Sequence, residues 1–248
     1  MTRFCVFSLY GPMASWGEIA VGEDRHSADH PTKSAIIGMV GASLGIRRDQ
    51  EELHTRFAES LGMACLVLSP GNPIEDFHTI QTPPQAELKS GSYCKTRRDE
   101  LSVGPSSLYT IISRRDYRCD TYVFVCLWMR KDGVPFSLEE IAQALNNPRF
   151  TLYLGRKSCP PGLPLNARIM EAPTIIEVFS MMQKNSPGIM DMSRFSPEAA
   201  LYWDSDGNSG VAARHVTQRR DEVLSRQRWT FLNRFESYEI VKIDRPGG

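Results

Sequence analysis

Net charge is missing from this chain: 29 Lys and Arg residues balance 29 Asp and Glu residues. A generic polyanion binder, basic over its whole surface, is thereby excluded. Long apolar runs are missing too. No segment approaches the roughly 20 residues that span a bilayer, so no membrane association is expected. The stretch Arg3-Phe4-Cys5-Val6-Phe7-Ser8-Leu9-Tyr10 lacks the basic region, apolar run and small-residue cleavage site of a secretory leader. The cytoplasm is therefore the expected compartment. Cys5, Cys65, Cys94, Cys119, Cys126 and Cys159 never stand as Cys-x-x-Cys, and no His-x-x-x-His accompanies them. Several lie in apolar runs, where a reduced thiol behaves as a small hydrophobe, so they read as structural. The stretch Asp204-Ser205-Asp206-Gly207-Asn208 has its glycine out of place for a calcium loop, and its twelfth position is His215. No metal or other cofactor is expected.

What is present is segregated charge. Arg97, Arg98, Arg114, Arg115, Arg118, Arg156, Lys157, Arg214, Arg219, Arg220, Arg226 and Arg228 gather in expected loops and late strands. Asp49, Glu51, Glu52 and Glu59 gather on an expected helix. A neutral chain with separated charge can hold nucleic acid locally, and arginine suits forked phosphate contacts and base stacking.

Residues 3–10 read as a strand ended by Gly11-Pro12. A polar loop over 11–31 contains Trp16 and Gly17. Thr32 follows Pro31 as the expected N-cap of a helix through Ile46. Gly38, Gly41 and Gly45 along it suggest a face pressed closely on a sheet. A second helix is expected over 49–61, and an apolar strand from Met63 to Leu68. Proline and glycine then break up residues 70–107, which read as a protruding hairpin with a long tip, an insertion of functional kind. Thr121–Met129 reads as a buried strand. Ser137 and Glu140 form a capping box opening a helix to about Leu145, and Leu165–Ile169 alternates as a strand. The order is the split βαβ arrangement of ferredoxin-like domains, shared by RNA-recognition folds. Beyond 172, Thr174–Met182 reads as a short helix and 183–198 as a Pro/Gly/Ser-rich connection. Residues 201–203, 211–216, 229–232 and 238–243 read as strands of a small accessory sheet. The expected class is α+β: a ferredoxin-like (RRM-like) domain over 1–172 with an inserted thumb β-hairpin, and a small C-terminal β region over 173–248.

Between the last helix and strand of that domain lies the segment Asn147–Gly162. Pro148, Pro160 and Pro161 block helix continuation, and Gly155 and Gly162 permit close backbone approach. Tyr153, Arg156 and Lys157 sit between these breakers. Bare backbone, a ring and a guanidinium make a cradle for a phosphodiester chain. The expected topology gathers Gly11-Pro12, the helix start at Lys33-Ser34, the hairpin base, Arg115 and this loop at one end of the sheet. Trp16 suits packing better than stacking, Tyr117 suits the core, and His78 suits a structural or interfacial place.

The motifs Gly11-Pro12-Met13-Ala14-Ser15-Trp16-Gly17, Pro31-Thr32-Lys33-Ser34, Phe77-His78-Thr79, Arg115-Asp116-Tyr117 and Pro148 to Pro160 occur in one order. In this they resemble the CasD family, the Cas-five-type subunits of the type I-E CRISPR surveillance complex, Cascade. The resemblance covers about 3–172 well and the tail loosely. It implies a non-catalytic subunit that holds the 5′ handle of the CRISPR RNA and caps one end of the complex in antiviral defence. A thumb over about 77–113 would reach the CasC backbone subunit, with CasA docking nearby and target DNA met only through the complex. The implied RNA contacts are Gly11, Pro12, Trp16, Lys33, Ser34, Arg115, Tyr153, Gly155, Arg156 and Lys157. The implied partner contacts are His78, Arg97 and Arg98. The rival reading is a metal-independent endoribonuclease cutting CRISPR repeats, for which His26, His30 and His78 are available with Tyr10, Lys33 and Lys89.

Overall fold

The computed structural model describes residues 1–20, 22–84, 96–102, 107–131, 135–184 and 195–243. Most of the expected 183–198 connection and the tip of the hairpin lie outside them. The strands are β1 (Thr2–Ala14), β2 (Trp16–Gly17), β3 (Asp24–Arg25), β4 (Ser27–Ala28), β5 (Leu61–Ser69), β6 (Asn72–Thr82), β7 (Tyr109–Met129), β8 (Arg168–Ala172), β9 (Glu198–Asp204), β10 (His215–Ser225) and β11 (Thr230–Lys242). The helices are α1 (Lys33–Leu44), α2 (Glu51–Ser60), α3 (Arg97–Glu100), α4 (Leu138–Asn146) and α5 (Ile175–Lys184).

One large sheet runs in the order β10-β11-β9-β5-β7-β1-β8. Neighbours along it are antiparallel. Both faces of its centre are covered, which is why β5 and the second half of β7 are apolar without alternation. On one face, Phe7, Leu9, Met63, Cys65, Val123 and Val125 pack against Ile36 and Val40 of α1, Phe57 of α2 and Ile141 of α4. On the other, Val6, Leu66, Phe124 and Cys126 pack against Val178 and Phe179 of α5. Burial pushes the thiol of Cys5 up to about 12 and those of Cys65 and Cys126 well above their usual range, consistent with unreactive packing groups.

Local chemistry sets the helix starts. The Thr32 side chain accepts from the Ala35 amide, and Ser137 and Glu140 complete a capping box before α4. Gly45 ends α1 in the left-handed region at φ 79°. The α1 glycines do not face a sheet as expected. A β-carbon on Gly38 would stand 3.1 Å from Arg226 Nη2, and one on Gly41 would stand 3.5 Å from the His54 ring. They make room for side chains arriving from outside the helix.

Five further expectations are corrected. β1 does not stop at Gly11-Pro12 but stays paired with β7 to Ala14, opposite Arg118. The strand expected at Leu165–Ile169 is β8, displaced to Arg168–Ala172. Residues 211–214 are not strand, and the two pieces expected at 229–232 and 238–243 are one strand, β11. The C-terminal strands build no separate accessory sheet, because β9 pairs with β5 from Ala64↔Trp203 to Val67↔Ala200 and so continues the main one.

That continuation is held by a buried ionic cluster. Arg234 donates to Asp221 at 2.6 Å, to Asp204 at 2.9 Å and to Glu236 at 2.5 Å. Lys33, only 1% exposed, lies 3.0 Å from Glu222 and 3.3 Å from Asp204. Arg130 reaches Asp204, and Arg219 reaches Glu236. His30 stacks on Tyr202 with ring centroids 3.7 Å apart and meets Glu236 at 3.1 Å. Burial raises the carboxyl of Glu236, but the His30 hydrogen bond and the charges of Arg234 and Arg219 outweigh it and hold Glu236 at about 2. Such a cluster offsets its desolvation only while complete, so Glu236→Gln or Arg234→Met should cost about 3–5 kcal/mol in chemical denaturation. Because the folded value of Glu236 is depressed, its contribution is whole above about 4.5 and fades as pH falls toward about 2. Acid melts should show that loss in the wild type and little of it in Glu236→Gln.

Candidate nucleic-acid interface

The loop over 147–162 is seated on the far end of β1 by backbone contacts. Ser15 donates its amide to the Leu154 carbonyl at 3.0 Å, and Gly162 donates to Tyr10 at 2.8 Å. Within the loop, Leu154 donates to Cys159 and Cys159 to Arg156, closing a tight turn. Gly155 sits at φ 85°, and a β-carbon there would stand 1.8 Å from the Ser15 carbonyl oxygen. No side chain fits that place, so the glycine is required by contact and by dihedral together. Earlier in the loop, Arg149 and Phe150 donate to Ser43 and Ala42 at the end of α1. The segment thus bridges the helix end and the strand end.

The seat aims Arg156. Its guanidinium stands 5.0 Å from the centroid of the Tyr117 ring on β7, and Nη2 donates to the Arg25 carbonyl at 3.2 Å. Arg25 belongs to β3, which pairs in parallel with β7 through Asp24↔Arg114 and Arg25↔Arg115. Arg115 and Arg156 are therefore joined through a single short strand. Arg114 is paired with Asp24 at 3.4 Å. His26 meets Asp116 at 2.9 Å, and that hydrogen bond holds its imidazole above the usual range. Lys157 is exposed and Tyr153 half-buried.

Several expected residues lie in this neighbourhood, and three are corrected. Trp16 is 0% exposed and packs in the core beneath the seat, as the residue itself led us to expect, so the RNA contact that the resemblance implied is the part corrected: no base can stack on a buried ring. Gly11 is buried inside β1, where a β-carbon would stand 2.3 Å from Leu154 Cδ1; its smallness admits the loop's own leucine. The Lys33 ammonium is consumed by Asp204 and Glu222, and its backbone amide donates to Asp221 at 2.8 Å. A protein carboxylate thus occupies the helix start where a phosphate was expected. Ser34 remains half-buried, lining a cavity of about 260 Å³ together with Tyr153 and Gly155. Pro12 is exposed beside Gly162.

His78, Arg97 and Arg98 are not brought to this rim. They lie along the β6–β7 ribbon and its flanking α3. His78 pairs with Asp76 at 3.0 Å, and Arg97 pairs with Glu100 at 2.6 Å and reaches the Gln81 carbonyl. Sequence reading missed the far wall of the cavity, made by Arg48, Arg226 and Trp229. Only the alternation of cations with an aromatic over 226–229 signalled it.

Residues 4–234 match the family described as CRISPR-associated protein (Cas_Cas5). The chain belongs to that family of CRISPR-associated proteins. It is 31% identical over 173 residues to the CRISPR system Cascade subunit CasD of Escherichia coli strain K12, covering 66% of this chain and 70% of the relative. Its fold is shared with a chain of a CRISPR RNA-guided surveillance complex, with TM-score 0.66 and 22% identity, over 97% of this chain and 90% of that one. It is also shared with a Cas protein crystal structure, with TM-score 0.63 and 21% identity, over 99% and 100%. Among the described residues no group of His, Cys, Asp and Glu is arranged to hold a metal, and no helix is long and apolar enough to cross a membrane.

Gly155→Ala tests the seat. The variant should lose about 1–3 kcal/mol of stability and show faster amide exchange over 148–162. An unchanged melt with unchanged exchange would show that the loop is held elsewhere.

Proposed function

We propose that this chain is a non-catalytic RNA-binding subunit of a type I-E Cascade complex, working in the cytoplasm. The rim formed by Arg115, Tyr153, Gly155, Arg156 and Lys157, with Pro12 and Ser34 beside it, holds the 5′ handle of the CRISPR RNA. The observation that carries this reading is the joining of Arg115 and Arg156 through β3, next to an exposed lysine and a half-buried ring. Single strands are held by such combinations of guanidinium, ring and bare backbone. Family membership and the CasD relative support the assignment to Cascade.

The inner strand order β5-β7-β1-β8, with α1 and α4 on one face, supports reading the core as ferredoxin-like. The β6–β7 ribbon, paired from Asn72↔Cys119 to Thr82↔Tyr109 and exposing Phe77, Ile80, Tyr109 and Ile111, is the proposed thumb. It would carry His78, Arg97 and Arg98 toward the CasC subunit, so that this chain caps the backbone filament. CasA would dock nearby, and target DNA would be met through the complex.

The second reading, a repeat-cutting endoribonuclease, rests on the His26–Asp116 pair at the same rim. His30 is buried under Arg219 and Glu236, and His78 lies on the ribbon, so the three histidines share no site. Purified protein incubated with repeat RNA in EDTA should leave it intact. Site-specific cleavage lost in His26→Ala would replace the binding role with catalysis. Arg156→Ala should release guide RNA from the affinity-purified complex about tenfold faster, since a stacked or phosphate-bound guanidinium of this kind is worth about 1–3 kcal/mol. Its melting temperature should remain close to wild type. Unchanged guide occupancy would count against the cradle.

A further inference from the structure

Behind Tyr153, the 260 Å³ cavity is closed by the turn joining β10 to β11, residues 226–229. Arg226 is only 9% exposed, yet no carboxylate pairs with it among the described residues. Its Nη2 donates to the Ser34 carbonyl at 2.5 Å, and its Nε has no partner. Burial and the neighbouring charge of Arg48 pull its guanidinium down to about 10. None of the residues lining the cavity is Asp or Glu. Glu51 accepts from the Gln227 amide at 3.1 Å and so braces the turn itself. A buried cation without an anion is costly, and the fold accommodates this one by leaving out the β-carbon at Gly38.

The ring at the mouth adds a second, independent oddity. Trp229 is 56% exposed and stands at φ 56°, where glycine or asparagine would be unstrained and a bulky side chain is an outlier. Arg48 and Arg226 approach its ring at 5.3 and 5.6 Å. The other tryptophans, Trp16, Trp128 and Trp203, are buried. Strain held at an exposed aromatic, over two guanidiniums that no carboxylate pairs among the described residues, is a feature of ligand sites. The cavity is continuous in its lining with a larger one of about 750 Å³, which also contains Gly17, Thr32, Ser34 and Trp229.

We propose that this cavity is a nucleotide subsite for single-stranded RNA, in which Arg226 and Arg48 take one phosphate and Trp229 takes the adjoining base by stacking. The subsite rests on the reading of the chain as a holder of guide RNA, and extends it from the 147–162 loop onto the β10–β11 turn. The guide would then run across the start of α1, gripped on both sides of Ser34. No bond is made or broken.

The test uses the complex purified through a tag on this chain, with its guide in place. Three variants are compared with wild type: Arg226→Gln, Trp229→Gly and Arg156→Ala. Guide loss is followed at raised salt, and ultraviolet cross-links are mapped by mass spectrometry. The expected result is a cross-link between Trp229 and one guide nucleotide, with guide loss about tenfold faster in Arg226→Gln and in Trp229→Gly. Trp229→Gly relieves the left-handed backbone, so its melting temperature should equal or exceed wild type; it decides the matter if Arg226→Gln folds poorly. If Trp229 forms no cross-link and Trp229→Gly and Arg226→Gln keep the guide while Arg156→Ala sheds it, the subsite is wrong and the holder reading stands. If all three variants keep the guide and neither the loop nor the turn cross-links, both are wrong.

Discussion

The forked grip of Arg234 on Asp204, Asp221 and Glu236 is the constraint on which the rest of this architecture turns. Those carboxylates belong to three neighbouring strands, and Asp221 also receives the first backbone amide of α1. One guanidinium therefore fixes the C-terminal strands both to one another and to the helix on the opposite side of the cluster. The sheet is continuous from β8 to β10 through the pairing of β9 with β5, and the cluster braces the strands beyond that joint. It also fixes the distance between α1 and the β10–β11 turn, and so the width of the groove between them. Such a buried ionic cluster is a poor source of stability compared with apolar packing, but a demanding one geometrically, since every member left alone is a stranded charge.

A second constraint is purely steric. The 147–162 loop lies on β1 because Gly11 and Gly155 lack β-carbons at the two places where chain meets chain. Backbone hydrogen bonds at Ser15 and Gly162 then fix the loop in register. Arg156 is carried by that seat to the Tyr117 ring and to β3, and thereby to Arg115. The rim is thus rigid scaffold rather than loose surface loop, as a site that positions a flexible strand requires.

Much of this was legible in the sequence, for definite reasons. The caps at Thr32 and Ser137 and the apolar runs of β5 and of the second half of β7 follow from local rules and stand where those rules put them, although β7 itself begins far earlier, at Tyr109. Family membership was legible in the loop motif and the Gly-Pro-Met segment at the end of β1. The fate of Lys33 was not, because its partners Asp204 and Glu222 lie far along the chain and only the folded sheet brings them near. The same holds for the accessory sheet: short β segments show their own pattern but not their neighbour, and β9 chose the exposed edge of β5. Trp16 looked like a loop residue because β1 was expected to end at Gly11-Pro12, and the strand in fact runs on to Ala14 and carries the indole into the core. Arg226 looked like one solvated cation among many until Gly38 was seen to admit it.

The most direct test of the central claim is a density map of the assembled complex with its guide bound. The handle nucleotides should lie along the rim, with phosphate or base atoms within hydrogen-bonding distance of both Arg115 and Arg156 and a base against Tyr153. A map that puts the handle on another face of this chain, or on another subunit altogether, would contradict it.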